Sequence, residues 1–301
     1  MDDKSPATMR AEEGYAEVLD SRVFYRSFEP VGSRGVLVCV HGGPGATHDY
    51  LLPLQGVTGW GYRVVFYDMR GSGRSQQFDQ GSTFTIGLCV EELEGLRRAL
   101  GLDIIHLFGH SLGGAVVLAY AVEHQANLAS LIVCSGFASV PEVADAVAEL
   151  KSQLPSELRL AMKRSEETRD YRDRKYRAAI RELVRRHYSR GLKGDEKEHN
   201  FTLAHMNRGL YRSAWGPNDF VITGTMKDWD ITRSLHQIHV PCLITVGKFD
   251  EVPQAVAESI HKEIAGSRLV VFNNSSHLAM WEERESFLKT LADFLSSVPR
   301  K

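Results

Sequence analysis

The chain has 301 residues and a formal net charge of −2, with 43% hydrophobic and 25% charged residues, proportions that are ordinary for a globular protein and suit one large domain with an insertion. A near-neutral chain gives no reason to expect a nucleic acid or an anionic membrane surface as partner. No apolar run approaches the ~18–20 residues of a spanning helix, and the polar, acidic N-terminus lacks the apolar segment of a secretion signal. We therefore expect a cytoplasmic protein that does not enter a membrane.

Short apolar segments rich in β-branched residues recur along the chain, with helical segments between them. Two early strands, around 15–19 and 23–28, are expected to form an antiparallel edge. The later strands are predicted at 35–40, 62–67, 104–108, 128–134, 242–246 and 268–272, and the helices at 85–100, 114–124, 253–264 and 282–296. Near-continuous apolarity indicates burial on both faces, and the alternation indicates right-handed crossovers. The pattern predicts a mostly parallel, doubly wound α/β sheet.

The alternation stops between about residues 139 and 230, where the sequence is helical and rich in charge. Residues 151–200 carry fifteen Lys and Arg against nine Asp and Glu. The acids are interleaved with the bases and aromatic residues are few, so a solvated helix face explains this charge better than nucleic-acid binding. One amphipathic face is formed by Tyr176, Ala179, Ile180, Leu183, Val184 and His187. We predict a core of residues 1–138 and 231–301 with an inserted helical cap, 139–230.

The segment GHSLG at 109–113 lies between a predicted strand and a predicted helix. Only a sharp turn joins two such elements directly, and Gly109 and Gly113 allow one. The turn would present Ser111 at its apex, as in the nucleophile elbow G-x-S-x-G. A glycine-rich connection with an incidental serine is the alternative, so the interpretation depends on finding the partners of this serine.

A serine hydroxyl needs a base to take its proton, and that base needs an orienting carboxylate. Asp250 follows the predicted strand 242–246, and His277 follows the strand 268–272. Taken singly, each could be an ordinary loop residue. The order serine, acid, histidine, each at the end of a strand, predicts a catalytic triad of Ser111, Asp250 and His277.

Two backbone N–H groups are expected to form an oxyanion hole. One belongs to Leu112, directly after the nucleophile. The other belongs to the loop HGGPG at 41–45, where we select Gly43 because glycine lets the backbone approach a substrate. His41 lies at the wrong strand end for a catalytic base and is interpreted as an architectural hydrogen-bonding residue.

The sequence offers no candidate for a metal ion or a cofactor. Cys39, Cys134 and Cys242 lie in apolar runs, and Cys89 adjoins a helical segment, so buried reduced thiols are expected. The histidines show none of the spacings typical of metal sites. We expect a cofactor-free enzyme.

Several motifs together resemble the proline iminopeptidase family of α/β-hydrolases, and within it the archaeal tricorn-interacting branch. The resemblance runs from about residue 15 to the C-terminus. Its motifs are HGGPG, FYDMRGSGRS (66–75), GHSLGG, GPNDFVITGTMKDWDI (216–231), ITVGKFDEV (244–252) and SSHLAMWEERE (275–285). The resemblance implies an α/β-hydrolase fold and removal of one N-terminal residue, often proline.

The resemblance also implies that Glu251 and Asp219 hold the free α-amino group of the substrate. A buried ammonium group needs a compensating negative charge, and anchoring it selects which peptide bond meets Ser111. Without the resemblance, Asp219 would be interpreted as a turn residue and Glu251 as a surface acid. The family usually has glutamate where Asp219 stands and an aromatic residue where Leu112 stands, differences that concern pocket shape rather than acyl transfer.

We therefore predict a serine aminopeptidase that acts through an acyl-enzyme on short peptides or aminoacyl amides with a free N-terminus. An amino-acid amidase or a carboxylesterase with the same triad is the alternative. A slow, ligand-binding receptor on the same fold is a second one. The proline preference, the oligomeric state and any partner protease are left open.

Overall fold

A computed structural model describes residues 9–78 and 83–299, and in this part of the chain eight strands form one sheet. The strand order is β1-β2-β4-β3-β5-β6-β7-β8, antiparallel at β1-β2 and β2-β4 and parallel elsewhere. The strands are β1 Arg10–Val18, β2 Ser21–Glu29, β3 Val36–Val40, β4 Arg63–Tyr67, β5 Ile105–His110, β6 Leu128–Cys134, β7 Cys242–Gly247 and β8 Arg268–Phe272. This confirms the predicted sheet and its antiparallel edge.

The central strands are buried on both faces, which explains their continuous apolar sequences. Along β3, the side chains of Val36, Val38 and Val40 belong to one hydrophobic cluster and those of Leu37 and Cys39 to another. Successive strand residues point to opposite faces, so each face of the sheet is covered by its own apolar layer. The four cysteines are buried and free, as predicted.

Helices cover the two faces of the sheet. They are α1 Ile86–Ala99, α2 Leu112–His124, α3 Val140–Ser152, α4 Ser156–Thr168, α5 Arg174–His187, α6 Lys197–His205, α7 Arg208–Ala214, α8 Gln254–Glu263, α9 Ala279–Glu282 and α10 Arg284–Ser297. A 3₁₀ segment, His48–Trp60, was not predicted. No helix in the described residues is long and apolar enough to cross a membrane.

The predicted helix at 282–296 is wrong at its start, because Glu283 separates α9 from α10. Glu283 has φ −128° and ψ 48°, outside the helical region. Its carboxylate accepts hydrogen bonds from the Asn274 N–H at 3.0 Å and the Ser275 hydroxyl at 2.6 Å. A contact to the preceding loop thus outweighs the local helical preference.

The helices α3 to α7 lie between β6 and β7, in the segment predicted as a cap. Helix α5 buries Tyr176, Ala179, Leu183 and His187 and half-buries the other two residues of its predicted apolar face. Helix α4 packs against α5. The segment is therefore helical as expected, whereas the domain boundaries at 139 and 230 stay a prediction.

Candidate active site

Ser111 lies at the junction of β5 and α2 and has φ 56° and ψ −123°, a conformation that non-glycine residues rarely adopt and that costs on the order of 1–3 kcal/mol. Neighbouring glycines allow the chain to turn so sharply. A Cβ atom on Gly109 would lie 2.2 Å from the Gly113 carbonyl oxygen, and one on Gly113 would lie 2.3 Å from the Val40 carbonyl oxygen. The turn directs the Ser111 side chain into a pocket.

Asp250 and His277 come together from the loops after β7 and β8. Asp250 Oδ1 lies 2.6 Å from His277 Nδ1, and both side chains are buried. Burial alone would raise the pKa of Asp250, but the charge and hydrogen bond of His277, with hydrogen bonds from Ser135 and the Val252 N–H, lower it below its ordinary value. The carboxylate is therefore ionised and fixes the histidine ring.

Ser111 and His277 line the same pocket. No hydrogen bond joins the Ser111 hydroxyl to His277 Nε2 among the described residues. Such nucleophile–base contacts are often longer without substrate. The structure thus brings the three predicted triad residues to one site, with the acid–base pair already bonded.

The two predicted oxyanion donors flank the pocket. The Gly42 N–H donates to the Tyr50 hydroxyl at 2.7 Å, whereas the next N–H, that of Gly43, has no acceptor in the part of the chain described. Leu112 opens α2, so its N–H has no intrahelical acceptor. A Cβ atom on Gly43 would lie 2.9 Å from the Ala46 nitrogen, which excludes larger residues there. Both donors are available to a ligand.

Two buried histidines beside the site are structural rather than catalytic. His41 Nδ1 donates to the Gly42 carbonyl at 2.7 Å, and its Nε2 accepts from the Met69 N–H at 3.0 Å. Burial lowers the pKa of His41 to about 4, so the ring is neutral at neutral pH. This agrees with the architectural role predicted for His41.

His110 was not predicted to have a role, yet it links Tyr50, which binds the loop 41–45, to His277. Its Nε2 donates to the His277 carbonyl oxygen at 2.8 Å, and its Nδ1 accepts from the Tyr50 hydroxyl at 2.8 Å. Burial, and next the charge of His277, lower the pKa of His110 to about 3. Ser135, which follows β6 and forms a hydrogen bond with Asp250, was not predicted to have a role either. Position beside the nucleophile was the only sequence signal for His110.

Glu251 and Asp219 line the same pocket as Ser111. Tyr211 donates its hydroxyl to Asp219 Oδ1. Glu251 Oε1 lies 3.5 Å from His277 Nε2, and Glu251 Oε2 is buried without a partner. Burial raises the pKa of Glu251 well above its usual value, and the charges of Asp219 and Asp250 raise it further. The site therefore holds a carboxyl group that lacks a cationic partner.

An apolar recess opens beside these acids and beside Ser111. Its walls are formed by Phe137, Val143, Val147, Trp215 and Val252. Gly43, Ser111, Asp219 and Glu251 line its inner end. The free volume of the recess is only about 20 Å³, about the room that one water molecule needs, so an apolar substrate side chain enters it, with the amino group toward the acids, only if the lining side chains move apart.

One group of residues has the composition of a metal site: His48, Asp49 and Asp68. Arg74 donates to Asp49 at 2.9 Å and to Asp68 at 3.2 Å, and His48 Nδ1 lies 2.7 Å from Asp68 Oδ1. The guanidinium thus already supplies the positive charge that these carboxylates need, and the group links the start of the 3₁₀ segment to the loop after β4.

Comparisons with known proteins agree with the observed fold. A family model described as the alpha/beta hydrolase fold matches residues 35–284. The chain is 43% identical over 293 residues to a proline iminopeptidase of Saccharolobus solfataricus, covering 97% of this chain and 94% of the relative. It is 40% identical to a proline iminopeptidase of Thermoplasma volcanium, with 95% and 97% covered.

Two solved structures have a similar fold over almost the whole chain. One is VinJ, with a TM-score of 0.90, 30% identity and coverage of 96% of this chain and 99% of the other. The second is a proline iminopeptidase of Mycobacterium smegmatis, with a TM-score of 0.89, 28% identity and coverage of 95% and 98%.

Proposed function

The chain belongs to the proline iminopeptidase family of α/β hydrolases and acts as an aminopeptidase, and we propose that it does so through an acyl-enzyme formed on Ser111. The substrates are short peptides with a free N-terminus, from which one residue, proline among them, is released. The cytoplasmic location and the absence of a cofactor remain predictions from the sequence.

The acid pair beside Ser111 is the observation that carries this proposal. A buried carboxyl group without a partner is costly, and two acids in one pocket repel each other when both are ionised. An ammonium group placed between Asp219 and Glu251 would remove both penalties. A substrate with a free α-amino group supplies that charge, whereas a simple ester or an N-acetylated peptide does not.

The recess supports the same orientation of the substrate. With the ammonium group at the acids and the first side chain in the recess, only the first carbonyl carbon lies beside Ser111. The recess is lined by aliphatic and aromatic side chains, which suits a proline ring as well as other apolar side chains. Asp219 is one methylene shorter than glutamate, and its fixed bond to Tyr211 defines where the ammonium group sits.

The reaction follows from these positions. The Ser111 oxygen forms a bond to the carbonyl carbon while its proton passes to His277 Nε2, and the Gly43 and Leu112 N–H groups bind the oxyanion. The C–N bond then breaks, and the leaving amine takes the proton from His277. Water, deprotonated by His277, hydrolyses the acyl-enzyme and releases the free amino acid.

A rate panel tests this function with the purified wild-type protein. It compares free and N-acetylated prolyl and alanyl amides, the matching dipeptides, and simple esters. We expect the free forms to be cleaved at least about 30-fold faster than the acetylated forms, as the loss of one partner of a buried charge pair implies. Equal rates on free and acetylated substrates, with faster ester cleavage, would favour the carboxylesterase alternative. Turnover of amides but not of dipeptides would favour the amidase.

A further inference from the structure

We propose that Arg208 and Arg212 bind the C-terminal carboxylate of the peptide being cleaved, so that the enzyme prefers free di- and tripeptides to longer or C-terminally blocked chains. The proposal rests on the function proposed above and adds a second charged anchor at the opposite end of the substrate.

Three connected cavities surround the reaction centre. The apolar recess and the chamber that holds Ser111 and His277 share Gly43, Ser111, Tyr211, Asp219 and Glu251. On its other side, this chamber adjoins a wider outer channel, a cavity of about 330 Å³. The chamber and the outer channel share Tyr188, Leu203, Met206, Tyr211 and Asp219.

This arrangement gives the substrate a direction. The recess is small, about 20 Å³, and its walls are buried residues of α3 and of the loops after β6, α7 and β7, so it has no room for the leaving part of a peptide. Glu251 lines the recess and the chamber but not the outer channel. The leaving part of the peptide therefore extends into the outer channel, away from Glu251 and past Asp219, which lines all three cavities.

Two arginines line that channel. Arg208 and Arg212 lie four residues apart on α7. They therefore share one helix face, where the Cβ atoms of such residues are about 5–6 Å apart. Arg208 donates from Nη2 to the Leu203 carbonyl at 3.3 Å. Within the described ranges neither guanidinium pairs with a carboxylate, and both residues are exposed, so both can bind one.

The charges of the whole cavity thus match a short zwitterionic peptide. Glu251 lies at its inner end, Asp219 lines all three of its parts, and two guanidinium groups line its outer channel. An extended peptide advances ~3.3–3.6 Å per residue, so one or two residues beyond the cleaved bond bring a carboxylate into the channel. Arginine binds carboxylates with two parallel hydrogen bonds. A blocked or distant C-terminus would leave these donors unused.

The test uses the same peptide with a free or an amidated C-terminus, in the series Pro-Gly and Pro-Gly-Gly. For the wild type we expect kcat/KM to be about 5- to 20-fold higher for the free acid than for the amide at one or both lengths. This ratio is the range expected for one or two partly exposed charge-assisted hydrogen bonds. It should come mainly from a lower KM. In the double variant Arg208→Gln, Arg212→Gln the acid-to-amide ratio should fall to within about twofold of one. Added salt should reduce the wild-type ratio.

Arg181→Gln is the matched control, because Arg181 is exposed on α5, lies outside the channel and has no ion pair in the described chain. This substitution removes one positive charge, as each substitution of the double variant does. It should leave the acid-to-amide ratio of kcat/KM at the wild-type value. Equal cleavage of acids and amides by the wild type, or a ratio that survives the double variant, overturns the carboxylate site and leaves the aminopeptidase function intact. Cleavage of simple esters but of neither peptide form overturns both.

Discussion

The backbone N–H of His277 donates a hydrogen bond to the backbone carbonyl of His187 at 3.2 Å, which joins the loop after β8 to the end of α5. The His187 side chain makes a second link, since its Nδ1 donates to the Phe249 carbonyl at 3.0 Å, next to Asp250. One residue of the predicted cap therefore contacts both loops that carry the acid and the base of the proposed triad.

His187→Ala should lower kcat about 10- to 100-fold with little change in KM, because a displacement of about 1 Å in the triad can reduce the rate by that much. The substitution does not alter the recess or the two acids, Asp219 and Glu251, that are proposed to bind the substrate amino group. Steady-state kinetics on a prolyl amide checks the expectation. His205→Ala is the control, since His205 is exposed on α6 and bonds only within its own helix. An unchanged kcat would show that the loops hold their positions without the His187 side chain.

Ser111→Ala should abolish hydrolysis and leave the free energy of unfolding nearly unchanged. The Ser111 side chain is half-exposed in the pocket and caps no helix by hydrogen bonding. Urea unfolding and activity are measured on the same preparation. A serine-directed phosphonate should label the wild type at Ser111 and should not label the variant. Labelling at another serine would remove Ser111 from the role of nucleophile.

Asp250→Asn should reduce kcat by about 10⁴-fold, because an amide can hold the wrong tautomer of the histidine. Ser135→Ala is a milder variant for comparison, because it removes only one hydrogen bond to Asp250. It should reduce kcat much less than Asp250→Asn does. The pKa of Asp250 is lowered in the folded protein, so its contribution to stability is present above ~3.9 and is lost as pH falls further. Equal effects of the two variants would argue against Asp250 as the orienting group.

Local patterns in the sequence predict β3 to β8 to within two residues at each end, because these strands are apolar and bounded by turns. The start of β1 is missed by five residues. Its polar N-terminal half is held by backbone pairing, from Arg10 opposite Glu29 onwards, and such pairing leaves no trace in hydropathy.

The predicted site residues share one feature: each directly follows a strand or stands in a motif. The residues that were missed act across long sequence separations. Tyr50 and His110 are 60 residues apart, and His110 and His277 are 167 apart. Burial makes these contacts strong and selective, but nothing in the neighbouring sequence specifies the partner. The elbow at Ser111 was predictable because its turn depends on adjacent glycines.

Asp219→Asn and Glu251→Gln should each lower kcat/KM for free aminoacyl amides by roughly 30- to several-thousand-fold, the ~2–5 kcal/mol cost of removing one partner of a buried charge pair. Simple esters should be nearly unaffected, since the triad is intact. The measurement is the ratio of rates on free and N-acetylated substrates. If the variants keep the wild-type ratio, these acids do not bind the amino group.

Glu251→Gln should also change the pH dependence of stability. Burial raises the pKa of Glu251 well above its usual value, so the folded protein holds this proton more tightly than the unfolded chain does. The stabilising effect of that proton is complete below ~4.3 and is lost as pH rises through the folded pKa, at up to ~1.4 kcal/mol per pH unit. Glutamine is neutral at every pH and does not lose stability in this way.

The free energy of unfolding of Glu251→Gln relative to wild type should therefore increase from pH 4 to pH 8, as measured by urea unfolding at several pH values without substrate. Glu285→Gln, on the exposed surface of α10, should show a constant difference. A prolyl ligand that carries an ammonium group should stabilise the wild type more than the Glu251 variant, because it supplies the charge that the free site lacks. A difference that does not vary with pH would mean that Glu251 is already ionised and paired in the free enzyme, and its unpartnered oxygen would then need another explanation.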